Sequence, residues 1–309
     1  MAKVHCLGVL VVDALSGPLP HYPVPGVTTQ VNTTSIKFLP GGGAANTGSA
    51  LAQLGLSVAV FSKVGADPNG SFLRAELKRN GVEISHIREC PDESTPFTFV
   101  GIHPTGDRSF IHTPGCNLSF SVKDLDLEAL YACRFLLYQD MWVLPKMDGS
   151  AAPGILAEAR KRGVITLLDE CYGLGPNREV FEAALPYCDV VLPSIDDMRV
   201  IYPGLSAVDV AERLRQKGAR RVVLKLGPEG CLVAGAQGTV HLPSVATEIV
   251  DTTGAGDCFD AGFIAGLVNG LDDVQAAKVG NMTASACIRN VGGAVGIPSY
   301  EIMIRKLSP

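Results

Sequence analysis

The stretch Asp251-Thr252-Thr253-Gly254-Ala255-Gly256-Asp257-Cys258-Phe259-Asp260-Ala261-Gly262-Phe263 places a carboxylate in a turn with almost no side chains. The apolar run that follows has Ala and Gly at helical spacing, so a helix is expected to open near Ala255. The first N–H groups of a helix lack internal acceptors, and the helix dipole adds positive character there. Such a turn can hold an anion. Asp257 beside it could take a proton from a hydroxyl while the turn stabilises a phosphoryl group in transfer. The plainer alternative is a glycine-rich turn in which Asp257 caps the helix.

A second glycine stretch lies far upstream. Gly41-Gly42-Gly43-Ala44-Ala45-Asn46 opens an Ala-rich helix that closes at Gly55. The glycines let a ligand approach the backbone, and Asn46 can both donate and accept. Tight packing of helix on strand would use the same glycines. Val4–Val12 reads as a buried parallel strand ending at Asp13, a position where ligands bind in open α/β sheets.

The elements that must carry these residues alternate. Strands are expected at Val58–Val64, Phe135–Tyr138, Val164–Leu168, Val190–Leu192 and Val222–Leu226, and Val245–Val250 can be extended. Helices are expected at 70–80, 151–162, 180–185, 208–216 and 276–289. This order predicts a mostly parallel sheet covered on both faces. Two Thr- and Val-rich pieces interrupt it. One runs to Leu39; the other, Thr95–Thr113, reads as a hairpin turning at Pro104-Thr105-Gly106-Asp107. Together they could form a small sheet over the site, a lid.

Composition narrows the classes. The 309 residues are 47% hydrophobic and carry a net charge of −5, which argues against a nucleic-acid or membrane surface. Nine cysteines stand singly with no CxxC pair, which disfavours a disulfide framework or a zinc site and fits a reducing, cytoplasmic setting. The N-terminal apolar run is too short for a membrane span and does not read as a signal peptide. The P-loop, G-x-S-x-G and H-E-x-x-H patterns are absent.

With both glycine stretches in view, the chain resembles the PfkB family of carbohydrate kinases. Gly41–Gly55 looks like the family's N-terminal signature and Asp251–Phe263 like its C-terminal one, D-T-x-G-A-G-D. Element spacing agrees over nearly the whole chain. The resemblance implies a ribokinase-like α/β fold: a three-layer α/β/α body with a mostly parallel central sheet plus a small β-sheet lid. One kinase domain would span 1–309, with the lid at about 15–39 and 95–113. It implies ATP-dependent phosphorylation of a hydroxyl on a sugar or similar small molecule. Asp257 matches the catalytic base, and Gly254, Ala255 and Gly256 the anion hole. Asp13, Gly42, Gly43 and Asn46 match sugar-holding positions. Lys225, Gly227, Gly230 and Asn281 fall where the family binds nucleotide. Asp251 and Thr253 lie where some members bind a monovalent cation such as K⁺. The family's Mg²⁺ motif N-x-x-E is here Ser194-Ile195-Asp196-Asp197, so Asp197 would act on the metal through water. Met141 stands where ribokinases carry Glu, which disfavours ribose. Nucleosides and sugar acids of the 2-keto-3-deoxygluconate type stay open as acceptors, because the lid offers aromatic residues and Arg108. Arg108 could pair with an acidic substrate, or it could be a hairpin residue in water. Relatives often form homodimers lid against lid, which the resemblance implies here.

Overall fold

A computed structural model of the protein describes residues 4–23, 25, 26, 28, 30–104, 108–173 and 175–305; the hairpin-turn residues 105–107 lie outside these. The chain opens with β1 (Val4–Leu7), β2 (Val11–Pro18), β3 (Ile36–Gly41), α1 (Gly43–Gln53), β4 (Val58–Gly65), α2 (Pro68–Arg79) and β5 (Ile87–Cys90). A hairpin of β6 (Phe97–Ile102) and β7 (Arg108–Thr113) follows, then α3 (Leu127–Tyr131), β8 (Phe135–Met141), α4 (Ala151–Lys161), β9 (Ile165–Glu170) and α5 (Arg178–Ala184). Next come β10 (Val190–Val191), α6 (Ile195–Ile201), α7 (Ala207–Gln216), β11 (Val222–Lys225), β12 (Cys231–Gly235) and β13 (Gly238–Leu242). The last helices are α8 (Ala255–Val268), α9 (Asp273–Cys287) and α10 (Tyr300–Arg305).

Nine strands form the main sheet in the order β13-β12-β11-β10-β9-β8-β1-β4-β5. It is parallel from β11 to β5, and β12 and β13 turn back antiparallel. Side chains alternate across it. Val4, Cys6, Val58, Val60, Leu137 and Val223 enter the core that includes residues of α1, α2, α8 and α9. Leu7, Phe61, Leu136, Tyr138 and Leu224 enter the opposite core, with α4 to α7. Both faces are covered, as the apolar runs predict. The strand order reverses between β8 and β1, so a crevice opens at their carboxyl ends, the usual ligand position in such sheets.

The run Val4–Val12 is not one strand. β1 ends at Leu7, and a Cβ on Gly8 would lie 2.6 Å from an Asp140 carboxylate oxygen. The chain bends there, and β2 joins a second, four-stranded sheet ordered β3-β2-β6-β7. Asp13 therefore sits inside a strand of the smaller sheet, not at the end of a main-sheet strand. An apolar pattern cannot separate one strand from two joined by a glycine bend. Of the strand or loop that Val245–Val250 could form, it forms the loop: it is irregular, with Val245, Ile249 and Val250 exposed. The smaller sheet begins at Val11, and among the described residues between Pro18 and Gly41 only Ile36–Gly41 joins Val11–Pro18 in it.

Register sorts the faces of the smaller sheet. Leu39, Asp13, Thr98 and His112 form one row across it, and alternation puts Phe110 and Arg108 on that same face. Ile36, Phe38 and Ile111 lie on the opposite face, more than half exposed.

One buried carboxylate fixes the turn after β8. There Asp140 and Trp142 hold positive φ angles of 60° and 84°, which are strained for side chains of that size. Asp148 accepts from Tyr138 Oη (3.0 Å), Trp142 N (2.9 Å) and Leu144 N (3.2 Å). Asp148→Ala would strand three buried donors, so a loss of about 3 kcal/mol is expected. Urea unfolding measures it, and a change of only a few tenths would show that water or a shifted loop takes over these donors.

Candidate active site

The amino ends of α1 and α8 meet at the crevice. Gly254 caps α8 with φ 71°, and a Cβ there would lie 2.4 Å from Gly293 O. Gly42 caps α1 with φ 89°, and its Cβ would lie 2.5 Å from Val9 O. Only glycine fits either turn. Asp257 stands in the first turn of α8 but makes no capping hydrogen bond, so the simple cap reading fails. Its carboxylate accepts instead from Asn46 Nδ2 at 2.8 Å. Thr47 Oγ1 donates to Asp257 O at 3.2 Å, and Gln139 Nε2 donates to Thr47 Oγ1 at 2.7 Å. Burial raises the Asp257 pKa and the Asn46 bond lowers it in part; Asp169 raises and Lys225 lowers it, with a net rise. In the turn itself, Ala255 N is already given to Thr252 O (3.2 Å), whereas Gly256 N and Asp257 N have no acceptor among the described residues.

Asp140, which in the sequence is marked only by its place after an expected strand, is central. It accepts from Val9 N (2.9 Å) and Gly43 N (3.1 Å), tying the β1–β2 bend to the start of α1. A Cβ on Gly43 would lie 2.6 Å from Asp140 Oδ1, and one on Gly41 would overlap the Asp13 carboxylate. Asp13, Gly41–Gly43, Asn46, Asp140 and Asp257 thus come together. Burial pushes the Asp13 carboxyl up to about 6, with Thr98 opposing and Asp251 and Asp257 adding to the rise. Asp140 stands at about 8, from burial and then the Asp257 charge, offset in part by its N–H donors.

Lys225 does not project freely toward a nucleotide. Its Nζ donates to Asp169 Oδ1 (2.9 Å) and Asp260 (3.2 and 3.3 Å), and would lie 3.5 Å from a Cβ on Gly256. Burial opposes its charge, but Asp169 and Asp260 outweigh that and hold it protonated. A positive charge therefore sits just behind the glycine turn. Next to it, Glu170 Oε1 accepts from Ser194 N (2.8 Å), while Glu170 Oε2 is buried without a partner. Asp197, in the first turn of α6, is raised to about 6 by burial and by Asp169. No group of three or more His, Cys, Asp or Glu among the described residues could hold a metal alone. The unpaired Glu170 oxygen and Asp197 fit a hard cation held chiefly by other ligands.

The remaining expected nucleotide residues divide between two places. Asn281, on α9, donates to Pro243 O (3.2 Å) and lines an open cavity of about 680 Å³ with Leu242, Pro243, Met282, Ser285 and Pro298. Gly227 (φ 58°) lines a separate hollow with Ile195 and Leu226. Gly230 (φ 92°) is packed under Leu242 O and Ser244 N, so its need for glycine is structural. Asp251 and Thr253 are both bonded to Arg108 of the smaller sheet: Nη2 to Asp251 Oδ1 at 2.6 Å and Nη1 to Thr253 Oγ1 at 2.5 Å. No helix of the described residues is long and apolar enough to cross a membrane.

The pfkB family carbohydrate kinase model matches residues 1–299. An uncharacterized sugar kinase of Archaeoglobus fulgidus is 28% identical over 80% of this chain and 98% of its own length. A nucleoside kinase of Methanothermobacter thermautotrophicus is 28% identical, covering 94% of this chain and 91% of its own. The structure of Arabidopsis thaliana ribokinase complexed with ribose and ATP superposes with a TM-score of 0.87 at 22% identity, over 100% of this chain and 99% of that one.

The raised carboxyls set the pH dependence of stability. Their folded pKa values exceed the ordinary 3.8, so their contribution is complete below that value and is lost as pH rises through the folded value. For Asp13, Asp148 and Asp197 the loss runs from 3.8 to about 6, and for Asp140 it continues to about 8, so Asp140 carries the fall above pH 6. The ligand-free protein should therefore melt lower at pH 8 than at pH 6, and Asp140→Asn should flatten the slope. Calorimetry across this range tests it; a rising melting temperature would contradict the assignment.

Proposed function

The chain belongs to the pfkB family of carbohydrate kinases, and on that premise we propose that it moves the γ-phosphate of ATP to a hydroxyl of a sugar or sugar-like molecule, with Asp257 as base. The observation that carries this reading is the half-buried, non-capping Asp257 carboxylate held by Asn46 beside two unspent N–H groups. The acceptor hydroxyl lies between Asp13 and Asp257, with Asn46 and the Gly42–Gly43 backbone orienting the ring. As the hydroxyl oxygen bonds to the γ-phosphorus, its proton passes to Asp257 and the bond to ADP breaks. The raised Asp257 pKa suits a base that must both take and release that proton. The N–H groups of Gly256 and Asp257 and the dipole of α8 stabilise charge on the transferring group, and Lys225 supports that field from behind. Mg²⁺, when bound with ATP, neutralises phosphate charge; Asp197 and Glu170 would hold it, through water in the case of Asp197. The cavity at Asn281 takes the nucleotide base.

A nucleoside acceptor is the second reading, favoured by Phe110. This ring is 64% exposed on the face of the smaller sheet that also bears Asp13 and Arg108, where it could cover a base. The sugar-acid reading loses support, because the Arg108 guanidinium is engaged by Asp251 and Thr253.

ADP release with a panel of sugars, nucleosides and sugar acids should reveal turnover that disappears on chelation of divalent ions. Asp257→Asn should lower kcat by roughly 10²-fold or more with ATP binding retained. Near-normal turnover in that variant would remove Asp257 from the mechanism.

The smaller sheet would serve as lid and as dimer surface. Ile36, Phe38 and Ile111 leave an apolar patch on its outer face, of the kind that marks association. A two-fold pair of lids would bury it, and light scattering should give twice the chain mass. Ile111→Asp should halve that mass; a monomeric parent protein would end the dimer reading.

A further inference from the structure

Asp251 is 2% exposed and lies just ahead of the glycine turn. Its Oδ1 accepts from Thr253 N (2.8 Å) and from Arg108 Nη2 (2.6 Å), and its Oδ2 from Gly292 N (3.0 Å). A carboxylate this buried needs a counter-charge. Among the described residues, Arg108 is the cation paired with it. The same guanidinium grips Thr253 Oγ1, the residue before the turn glycine. The geometry points to Arg108 as a built-in cation that takes the place of a monovalent ion and positions the anion-hole turn only when the lid lies against it.

Three features carry the argument. First, the side-chain oxygens expected to meet an alkali ion are already engaged, and a full positive charge stands beside them: three donors converge on the Asp251 carboxylate, and the Thr253 hydroxyl accepts from the arginine. Asp251 and Thr253 therefore do not fit K⁺ while Arg108 is in place. Second, the contact joins two distant parts of the fold. Arg108 stands on β7, the edge strand of the smaller sheet, and Asp251 precedes α8 on the body. Third, the far edge of the same sheet reaches the same region: Leu39 on β3 lies against Gly292, whose N–H Asp251 accepts. A fork-shaped donor bonding two side chains fixes direction as well as charge, which an ammonium or a hydrated ion does not. Arg108 is thus a positioning residue: it acts on the reacting phosphoryl through Thr253 and the turn that follows.

The proposal rests on the kinase reading above, so its test has one arm independent of turnover. In the first arm, thermal melting of the wild-type protein is recorded with K⁺, Na⁺ or choline at constant ionic strength. Equal melting temperatures are expected; a rise specific to K⁺ would overturn the proposal whether or not an acceptor is known. In the second arm, with the best acceptor from the panel, wild-type turnover should be indifferent to K⁺. Arg108→Ala should lower kcat by roughly 10- to 100-fold through a misplaced turn, with the KM for ATP little changed. Added guanidinium, or K⁺ entering the vacated site, should restore part of the loss. Arg108→Lys should restore charge but not direction and fall between the two. An unchanged kcat in Arg108→Ala, or an effect confined to the acceptor KM, would make Arg108 a substrate contact or a surface residue and reject the proposal. If the alanine variant does not fold, the lysine variant and the wild-type ion comparison decide by the same criteria.

Discussion

The structure is governed by an excess of buried negative charge at one end of the sheet. Asp13, Asp140, Asp169, Glu170, Asp251, Asp257 and Asp260 gather where β1, β8, β9 and β11 end and α1 and α8 begin. Two side-chain cations face them, Lys225 and Arg108. The balance comes from backbone N–H groups, helix dipoles and shared protons. Such an arrangement costs stability, and on the kinase reading proposed above a ligand bringing its own cation would offset that cost. Catalytic centres commonly store strain this way.

The glycines follow from the same crowding. Carboxylate oxygens occupy the space a Cβ would need at Gly8, Gly41 and Gly43, while carbonyl groups occupy it at Gly42 and Gly254. The glycine triplet is therefore less a flexible entry than a floor thin enough for Asp13 and Asp140 to lie against it. Ligand approach and carboxylate packing are two uses of one absence of side chain.

Both glycine turns, the alternation of strands and helices, and the pairing of the hairpin were legible in the sequence, because each is a local pattern: glycine at helix openings, apolar runs at strand length, Thr and aromatic residues in extended chain. What was illegible depends on partners supplied by topology. Asp140 and Glu170 stand at the ends of β8 and β9, with nothing nearby in the sequence to mark what they bind. Arg108 finds Asp251 only because the smaller sheet folds over the body. The break at Gly8 hides inside an apolar run whose hydrophobicity does not change when the chain changes sheets. Lys225 sits where the resemblance puts a nucleotide contact, yet its partners Asp169 and Asp260 come from β9 and α8.

That change of sheets at Gly8 bears on how the molecule is made. The central strand of the body and the second strand of the smaller sheet are consecutive; β2 can pair early with β3, where Asp13 meets Leu39, but its other edge waits for β6, where Asp13 meets Thr98. Between β3 and β6 lie α1, β4, α2 and β5, whose residues share one core with β1. Closing so long a loop is slow relative to local helix and strand formation. Assembly should thus run from the body outward, leaving one edge of β2 open until the hairpin arrives. During synthesis the nascent chain would carry this open edge while residues 19–96, about a quarter of its length, emerge, an interval in which the edge is open to mispairing.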